Sequence, residues 1–156
     1  MHWLILSLIL TLSIHAKADS DNRIAFIEKA NALIEKAKSR DPLRYEVFPN
    51  SLVLSQIILE SGWGKSRRAI KHNNLLGLKS GSRFATFNSY VSSIQYYFDN
   101  LLTHDAYDEF RTKLQNDAPV KKLVVALSDP YSGNEKAYAK QLKTIIRQYE
   151  LERYDD

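Results

Sequence analysis

The sequence predicts a mainly α-helical domain with at most one short β-hairpin. Most segments place apolar residues three and four positions apart, the spacing of one helix face. A turn that could join two paired strands, Ser80-Gly81-Ser82, stands between Leu75–Lys79 and Arg83–Phe87. There is no internal repeat, low-complexity segment or linker, so we expect residues 19–156 to form a single domain.

Residues 1–18 are expected to be a signal peptide rather than part of the domain. Trp3–Ile14 is almost continuously apolar, and Ala16-Lys17-Ala18 matches a small-x-small cleavage pattern. The apolar run is short for a membrane span. We therefore expect an exported chain that begins at Asp19 and has no permanent membrane anchor. An uncleaved anchor is the alternative.

The composition excludes several kinds of site. The chain has no cysteine, which rules out disulfides, thiolate metal sites and cysteine nucleophiles. Its net charge is +4, or +3 without Lys17. An excess this small is compatible with binding to an anionic polymer and equally with an ordinary soluble surface, and it does not indicate nucleic-acid binding. We find no HExxH, GxSxG or Gly-rich phosphate loop, and expect no metal, no cofactor and no nucleic-acid partner.

The helices are predicted in order along the chain. Asp21–Ser39 has an amphipathic pattern, with Asp19–Asp21 as its cap and Asp41-Pro42 as its end. Leu43–Phe48 is expected to be a connector, and Ser128-Asp129-Pro130 a turn. Besides the central helix, the pattern predicts helical segments at Lys65–Lys71, from Asn88 or Ser89 to Thr103, and at Tyr107–Leu114, Pro119–Leu127 and Glu135–Tyr149.

The central helix follows Pro49 and is the most apolar of the set. Asn50 or Ser51 is expected to cap it. A helix of this composition is buried on most of its surface. Gly62 is expected to end it. The polar residues within Leu52–Glu60 are Ser55, Gln56 and Glu60.

Glu60 is the residue with the clearest chemical role. It lies on the same helical stripe as Gln56 and Ile57, so its carboxyl group is expected to face the core or a cleft. Burial and the negative end of a helix both raise the pKa of a carboxyl group, and a carboxyl that stays protonated near neutral pH can act as a general acid. The alternative is a structural ion pair with Arg67, Arg68 or Lys71.

Aromatic and amide side chains near Glu60 are candidates for binding sugars. Trp63 can stack on a pyranose ring or fill a gap in the core. Asn73 and Asn74 can bind hydroxyl or acetamido groups, or serve as turn and capping residues. The tyrosines that are candidates to line a groove, with some of them in the core, are Tyr96, Tyr97, Tyr131 and Tyr138.

Two ordered motifs in this region are similar to a known family. Gln56–Gly64 (QIILESGWG) and Asn73–Lys79 (NNLLGLK) resemble the bacterial glucosaminidases, glycoside hydrolase family 73, also described as mannosyl-glycoprotein endo-β-N-acetylglucosaminidase-like domains of the lysozyme-like superfamily. Asn100–Tyr107 with Arg111 resembles the Bax-like branch. The similarity extends over about residues 45–155.

The resemblance implies a helical lysozyme-like domain that cleaves the β-1,4 bond after N-acetylglucosamine in peptidoglycan. It implies that Glu60 is the general acid, that the partner is a peptidoglycan glycan strand, and that the chain acts in the periplasm or cell envelope. We expect a monomer. The residues that we expect to bind substrate are Gln56, Trp63, Asn73, Asn74, Tyr131 and Tyr138.

One departure from the family concerns the second carboxylate. Many members carry it on a β-lobe, whereas Ser80–Arg83 has no acid. Two other routes remain: the acetamido group of the substrate as nucleophile, or an enzyme that is slow or needs a partner to complete its site. A lytic transglycosylase, which uses one glutamate on the same fold, is the second reading. A non-catalytic wall-binding module is the third reading. Four acids could provide the second carboxylate if the fold placed one of them opposite Glu60: Asp99, Asp105, Asp108 and Glu109.

Overall fold

We describe a computed structural model of the chain that places residues 2–155, with side chains described for residues 17–155. The prediction of a mainly α-helical domain with a short hairpin is confirmed. The predicted signal peptide lies largely outside the described side chains and stays a prediction. The α-helices are α1 His2–Lys38, α2 Pro42–Tyr45, α3 Asn50–Ser61, α4 Arg67–His72, α5 Tyr90–Thr103, α6 Asp108–Gln115, α7 Val120–Ser132 and α8 Glu135–Gln148. Two 3₁₀ helices span Asp105–Tyr107 and Leu151–Tyr154.

The hairpin joins α4 to α5 and consists of two very short strands. Strand β1, Lys79–Ser80, pairs antiparallel with β2, Arg83–Phe84. Both strands are exposed. The hairpin is therefore a surface element attached to the helical body.

Helix α3 lies at the centre of the domain. It packs against α1, α7 and α8, and every side chain from Asn50 to Ile58 is buried. A helix that is apolar on nearly all sides is stable only when other helices cover it. Gly62 ends the helix in the left-handed region at φ 55°, as predicted. The burial of α3 carries Glu60, in its last turn, to the edge of the core.

The N-terminus of α3 is not capped as predicted. Pro49 occupies the N-cap position and has no side-chain cap hydrogen bond. The backbone N–H and the hydroxyl of Ser51 each donate to the Asp155 carboxylate at 2.7 Å, while Asn50 donates to Glu35 on α1. An acid from the distant end of the chain thus satisfies the free N–H groups of the first turn.

Helix α1 is longer than predicted. It begins at His2 and runs through residues 19–21, so Asp19–Asp21 does not cap it. Part of the predicted connector Leu43–Phe48 belongs to α2, which Pro42 starts from the first helical position. Among the residues that the structure describes, no helix carries an apolar stretch long enough to cross a membrane.

Helix α7 continues past its predicted end at Leu127. The turn predicted at Ser128-Asp129-Pro130 is wrong, because the helix runs to Ser132 with Pro130 inside it. Pro130 is tolerated since it lies in the last turn, where it removes one backbone hydrogen bond close to the helix end. The extension carries Tyr131 on a rigid element toward Glu60.

Candidate active site

The Glu60 carboxyl group lies where the end of α3 meets the loop before the hairpin. It is partly buried. Gly77 in that loop has φ 64°, and a β-carbon built there would stand 3.1 Å from Glu60 Oε2. The backbone at Gly77 therefore approaches the carboxyl so closely that a side chain would press on it.

Three polar side chains connect Glu60 to the core by hydrogen bonds. The Tyr138 hydroxyl donates to Glu60 Oε1 at 2.8 Å, and Gln56 Nε2 donates to the Tyr138 oxygen at 3.2 Å. The Tyr97 hydroxyl in turn donates to Gln56 Oε1. We call Glu60, Tyr138, Gln56 and Tyr97 the Glu60 network. Because Gln56 is fully buried, its place in the structure is that of a residue that orients Tyr138.

The surroundings of Glu60 favour its protonated form. Burial raises the pKa of Glu60, while the hydrogen bond from Tyr138 and the charge of Arg68 oppose the rise to a smaller degree. Burial also raises the pKa of Tyr138 far above its usual value, so this hydroxyl keeps its proton. Among the described ion pairs none includes Glu60. The alternative of a structural ion pair with Arg67, Arg68 or Lys71 is thus not realised.

Tyr131 connects the network to the loop that carries Gly77. Its ring stacks on Tyr138 with centroids 5.7 Å apart and planes 20° apart, and its hydroxyl donates to the Leu76 carbonyl. Offset stacking of this kind adds to the energy of burial. Tyr131 therefore fixes the loop and the Tyr138 ring relative to each other.

The two asparagines brace the same region through backbone contacts. Asn74 is buried and donates to the carbonyls of Leu78 and Ala85, while its oxygen accepts from the Leu78 N–H. Asn73 ends α4 in the left-handed region at φ 48° and donates to the Phe87 carbonyl. These bonds show a turn-forming role for the pair. Direct contact of either amide with substrate stays a prediction.

Trp63 packs against α1 and the C-terminal end of α8. Its ring meets Phe26 of α1 and Tyr149 after α8 edge-on, at 5.8 and 5.0 Å between centroids. A cavity of ≈ 150 Å³ lies beside it, between α1 and Leu75. The contacts are those of a partly buried packing residue, and sugar stacking on Trp63 stays a prediction.

None of the four acids considered as a second carboxylate bonds to the Glu60 network. Asp99 accepts from Arg44 and Tyr45. Asp108 pairs with Arg111, and Glu109 pairs with Lys113, while Asp105 opens a 3₁₀ helix. Among the described side chains, no three or more His, Asp or Glu residues are grouped to hold a metal ion.

Sequence reasoning missed two features of the site. It did not foresee the close approach of Gly77 to Glu60 or the bond from Tyr97 to Gln56. Tyr97 sits three residues after Ile94 and four before Leu101 on α5, and the burial expected of that apolar stripe is the signal that could have placed its hydroxyl in the core. No residue close to Gly77 in the sequence indicates its approach to Glu60.

The site can be compared with known proteins. Residues 30–151 match the sequence model of the glucosaminidase family, described as mannosyl-glycoprotein endo-beta-N-acetylglucosaminidase. The chain belongs to the glucosaminidase family. The matched range includes Glu60 and every member of its network.

Two curated relatives share parts of this glucosaminidase-family chain. It is 35% identical over 79 residues to protein bax of Escherichia coli, covering 44% of this chain and 29% of that protein. It is 24% identical over 136 residues to exo-glucosaminidase LytG of Bacillus subtilis, covering 72% of this chain and 48% of that protein. The matches thus span less than half of the length of either relative.

Two solved structures have the same fold. The catalytic domain of the autolysin Auto from Listeria monocytogenes aligns with TM-score 0.70 and 20% identity, over 86% of this chain and 88% of that one. An N-acetylmuramoyl-L-alanine amidase structure from Staphylococcus aureus aligns with TM-score 0.71 and 22% identity, over 86% of this chain and 44% of that one. The mainly α-helical fold predicted from the sequence is thereby confirmed.

Proposed function

We propose that this chain is an exported peptidoglycan hydrolase that cleaves β-1,4 glycosidic bonds after N-acetylglucosamine, with Glu60 as its general acid. The observation that carries the proposal is a partly buried carboxyl group with a raised pKa at the end of α3, held by Tyr138. Membership of the glucosaminidase family supports a glycosidase reaction. The names of the exo-glucosaminidase and autolysin relatives support the cell wall as the place of action.

The hydrogen-bond pattern suggests which oxygen donates the proton. Glu60 Oε1 accepts from Tyr138, so the acidic proton resides on Oε2, beside Gly77. The absence of a side chain at Gly77 leaves room for the glycosidic oxygen to reach this atom. When the proton moves to that oxygen and the bond to the anomeric carbon breaks, the hydrogen bond from Tyr138 stabilises the new carboxylate.

The second step needs a group that stabilises the positive charge at the anomeric carbon. Because none of the four candidate acids bonds to the Glu60 network among the described side chains, the acetamido group of the substrate is the nucleophile that we favour. Its carbonyl oxygen attacks the anomeric carbon to form a cyclic intermediate. Water then opens this ring, returns its proton to Glu60, and leaves a reducing N-acetylglucosamine.

A lytic transglycosylase is the second candidate, favoured by the same lack of an acid partner for Glu60 among the described residues. In that reaction the bond to N-acetylmuramic acid breaks, and the sugar's own C6 hydroxyl attacks the anomeric carbon. Glu60 first gives its proton to the leaving glycosidic oxygen and then, as a carboxylate, takes the proton of the attacking hydroxyl, so that a 1,6-anhydro end forms. No reducing end appears.

Replacing the proton donor tests the proposal. Purified Glu60→Gln is expected to release no soluble fragments from insoluble peptidoglycan while its circular dichroism stays that of the wild type. The matched control is Glu135→Gln, the same change at an exposed position on α8, which is expected to keep full activity. Retained lysis by folded Glu60→Gln would exclude this residue as the acid.

Export is tested separately on the chain made in a Gram-negative host. We expect the protein in the periplasmic fraction, with Asp19 as its first residue by intact-mass measurement. A chain that keeps residues 1–18 and stays in the cytoplasmic fraction would contradict the export proposal and leave the reaction untouched.

A further inference from the structure

One continuous segment of the chain is basic and contains no acid. Residues 61–98 carry six Lys and Arg residues and no Asp or Glu, whereas the remaining residues carry 16 basic and 18 acidic ones. The net positive charge of the molecule therefore comes from this segment alone. We call its cationic side chains the basic face: Lys65, Arg67, Arg68, Lys71, Lys79 and Arg83.

Helix α4 and the hairpin bring two of these side chains together at one exposed aromatic ring. The guanidinium carbon of Arg68 on α4 lies 4.5 Å from the ring centroid of Phe84 on β2, and Lys79 Nζ on β1 lies 5.8 Å from the same centroid. Phe84 is 46% exposed. Arg68 and Lys79 thus flank one exposed aromatic ring. Arg83 pairs with Ser80 and therefore points to the other side of the hairpin.

No described acid forms an ion pair with the basic face. The five ion pairs among the described residues use Arg23, Arg44, Arg111 and Lys113 and none of the six. Arg68 Nε is buried without a hydrogen-bond partner. Donors left unpaired at such a position are costly unless a ligand satisfies them. The unpaired set points to an anionic ligand.

The basic face adjoins the Glu60 carboxyl. Gly77, where an added β-carbon would stand 3.1 Å from Glu60 Oε2, precedes Lys79 by two positions, so β1 begins close to the site. The positive charge of Arg68 also acts on Glu60, where it opposes the rise in pKa that burial causes. A polymer whose glycosidic bond lies at Glu60 would therefore have its neighbouring substituents at this face.

We propose that the basic face binds the carboxylate groups that the wall polymer carries on its stem peptides, and so holds the glycan strand at Glu60. This proposal rests on the proposed function and adds how the strand is recognised. The stem-peptide carboxylates are negatively charged and lie beside the glycan strand. They would therefore meet the positively charged basic face when a glycosidic bond lies at Glu60. Nucleic acid and anionic membrane are polyanions too, but their charge has no relation to a glycosidase carboxyl.

Binding to insoluble peptidoglycan measures the effect without turnover. All proteins carry Glu60→Gln, so that nothing is digested, and the bound fraction is measured by sedimentation at low salt. Adding Arg68→Gln and Lys79→Gln, the two cations that flank Phe84, is expected to weaken binding roughly fivefold, as the loss of two charge contacts implies. The matched control adds Lys121→Gln and Lys122→Gln, two exposed lysines on α7, and is expected to bind as the parent does.

Chemical blocking of the polymer identifies the charged partner. Peptidoglycan whose carboxyl groups have been converted to amides is expected to bind the parent as weakly as native peptidoglycan binds the Arg68/Lys79 variant. Equal weakening in the Lys121/Lys122 control, or unchanged binding after amidation, would overturn the proposal. Tighter binding to vesicles with phosphatidylglycerol or to duplex DNA than to native peptidoglycan would overturn it as well.

The two proposals fail in different ways. If the binding experiments contradict the role of the basic face, lysis by the wild type is still expected. Absence of lysis by the wild type leaves the charge-dependent binding standing, as expected of a wall-binding module.

Discussion

The Tyr138 hydroxyl donates a hydrogen bond of 2.8 Å to Glu60 Oε1 and accepts one of 3.2 Å from Gln56. Both hydrogen-bonding directions of this oxygen are therefore used. The arrangement fixes one carboxyl oxygen as an acceptor, so that the other is left to carry the proton. A single tyrosine on α8 thus joins the buried part of α3 to Glu60 in its last turn.

Removing the Tyr138 hydroxyl should change both pH dependence and rate. In Tyr138→Phe the carboxylate loses a donor that favours its charged form, so the pKa of Glu60 rises further and the alkaline limb of the kcat/KM profile moves to higher pH. At the optimum we expect a loss of roughly tenfold to a hundredfold, the worth of a charge-assisted hydrogen bond. The measurement is initial rate of fragment release against pH.

Tyr96→Phe is the matched control for this experiment. It removes the same atom from an exposed tyrosine on α5, and its profile is expected to overlay that of the wild type. An unshifted profile in Tyr138→Phe would mean that its hydrogen bond does not govern Glu60.

Gln56 is expected to act through Tyr138 rather than on substrate. Gln56→Leu leaves the buried Tyr97 hydroxyl without its acceptor and removes one of the two hydrogen bonds of the Tyr138 hydroxyl. It should lower the free energy of unfolding by about 2–4 kcal/mol. Because Gln56 is fully buried, we expect kcat to fall with KM unchanged. Urea unfolding and steady-state kinetics give the two quantities. A higher KM with normal kcat would instead support the direct substrate contact predicted from the sequence.

Gly77 and Gly81 form a matched pair in one loop. Both have positive φ, 64° and 61°, but a β-carbon at Gly77 meets Glu60 Oε2 at 3.1 Å whereas one at Gly81 meets nothing within 4 Å. Alanine at either position should cost about 1 kcal/mol or more in backbone strain. Only Gly77→Ala is expected to lose activity, by more than tenfold. Equal activity of the two variants, with equal thermal midpoints, would show that the close approach at Gly77 does not matter.

Glu60 itself should make stability depend on pH. Its pKa is raised in the folded chain, so the folded state binds more protons than the unfolded one between the two pKa values. The contribution to stability is complete below the unfolded pKa and is lost as pH rises through the folded pKa. Glu60→Gln removes this loss, so we expect the variant to exceed the wild type in unfolding free energy at neutral pH.

The expected gain of Glu60→Gln over the wild type shrinks as pH falls toward the unfolded pKa of glutamic acid. Denaturant titrations at a series of pH values measure the difference. Glu135→Gln, at an exposed position, is expected to show no such pH-dependent gain. A gain that stays constant with pH would mean that Glu60 does not titrate with a raised pKa.

The helical body was predictable because its signals are local. The apolar run of α3, the ends at Gly62 and Asp41-Pro42, and the cap of α5 at Ser89 each follow from residues within one or two turns. Glu60 was predictable for the same reason, since its stripe on α3 is set by helical spacing alone.

What could not be predicted depends on contacts between distant residues. Asp155 replaces a local cap on α3, and Tyr131 reaches the site because α7 continues through Pro130. The contact of Gly77 with Glu60 follows from the way the loop folds back on the helix end. In each case the deciding partner lies far away in the sequence, and no nearby residue encodes the contact.

The terminal sugars of the fragments released from purified peptidoglycan show which reaction the chain catalyses. Mass spectrometry of the digest is expected to show fragments that end in reducing N-acetylglucosamine for the wild type and no fragments for Glu60→Gln. Fragments that end in 1,6-anhydro-N-acetylmuramic acid would contradict the hydrolase and establish the transglycosylase. Binding to the polymer with no released fragment from the wild type would contradict catalysis by this chain altogether.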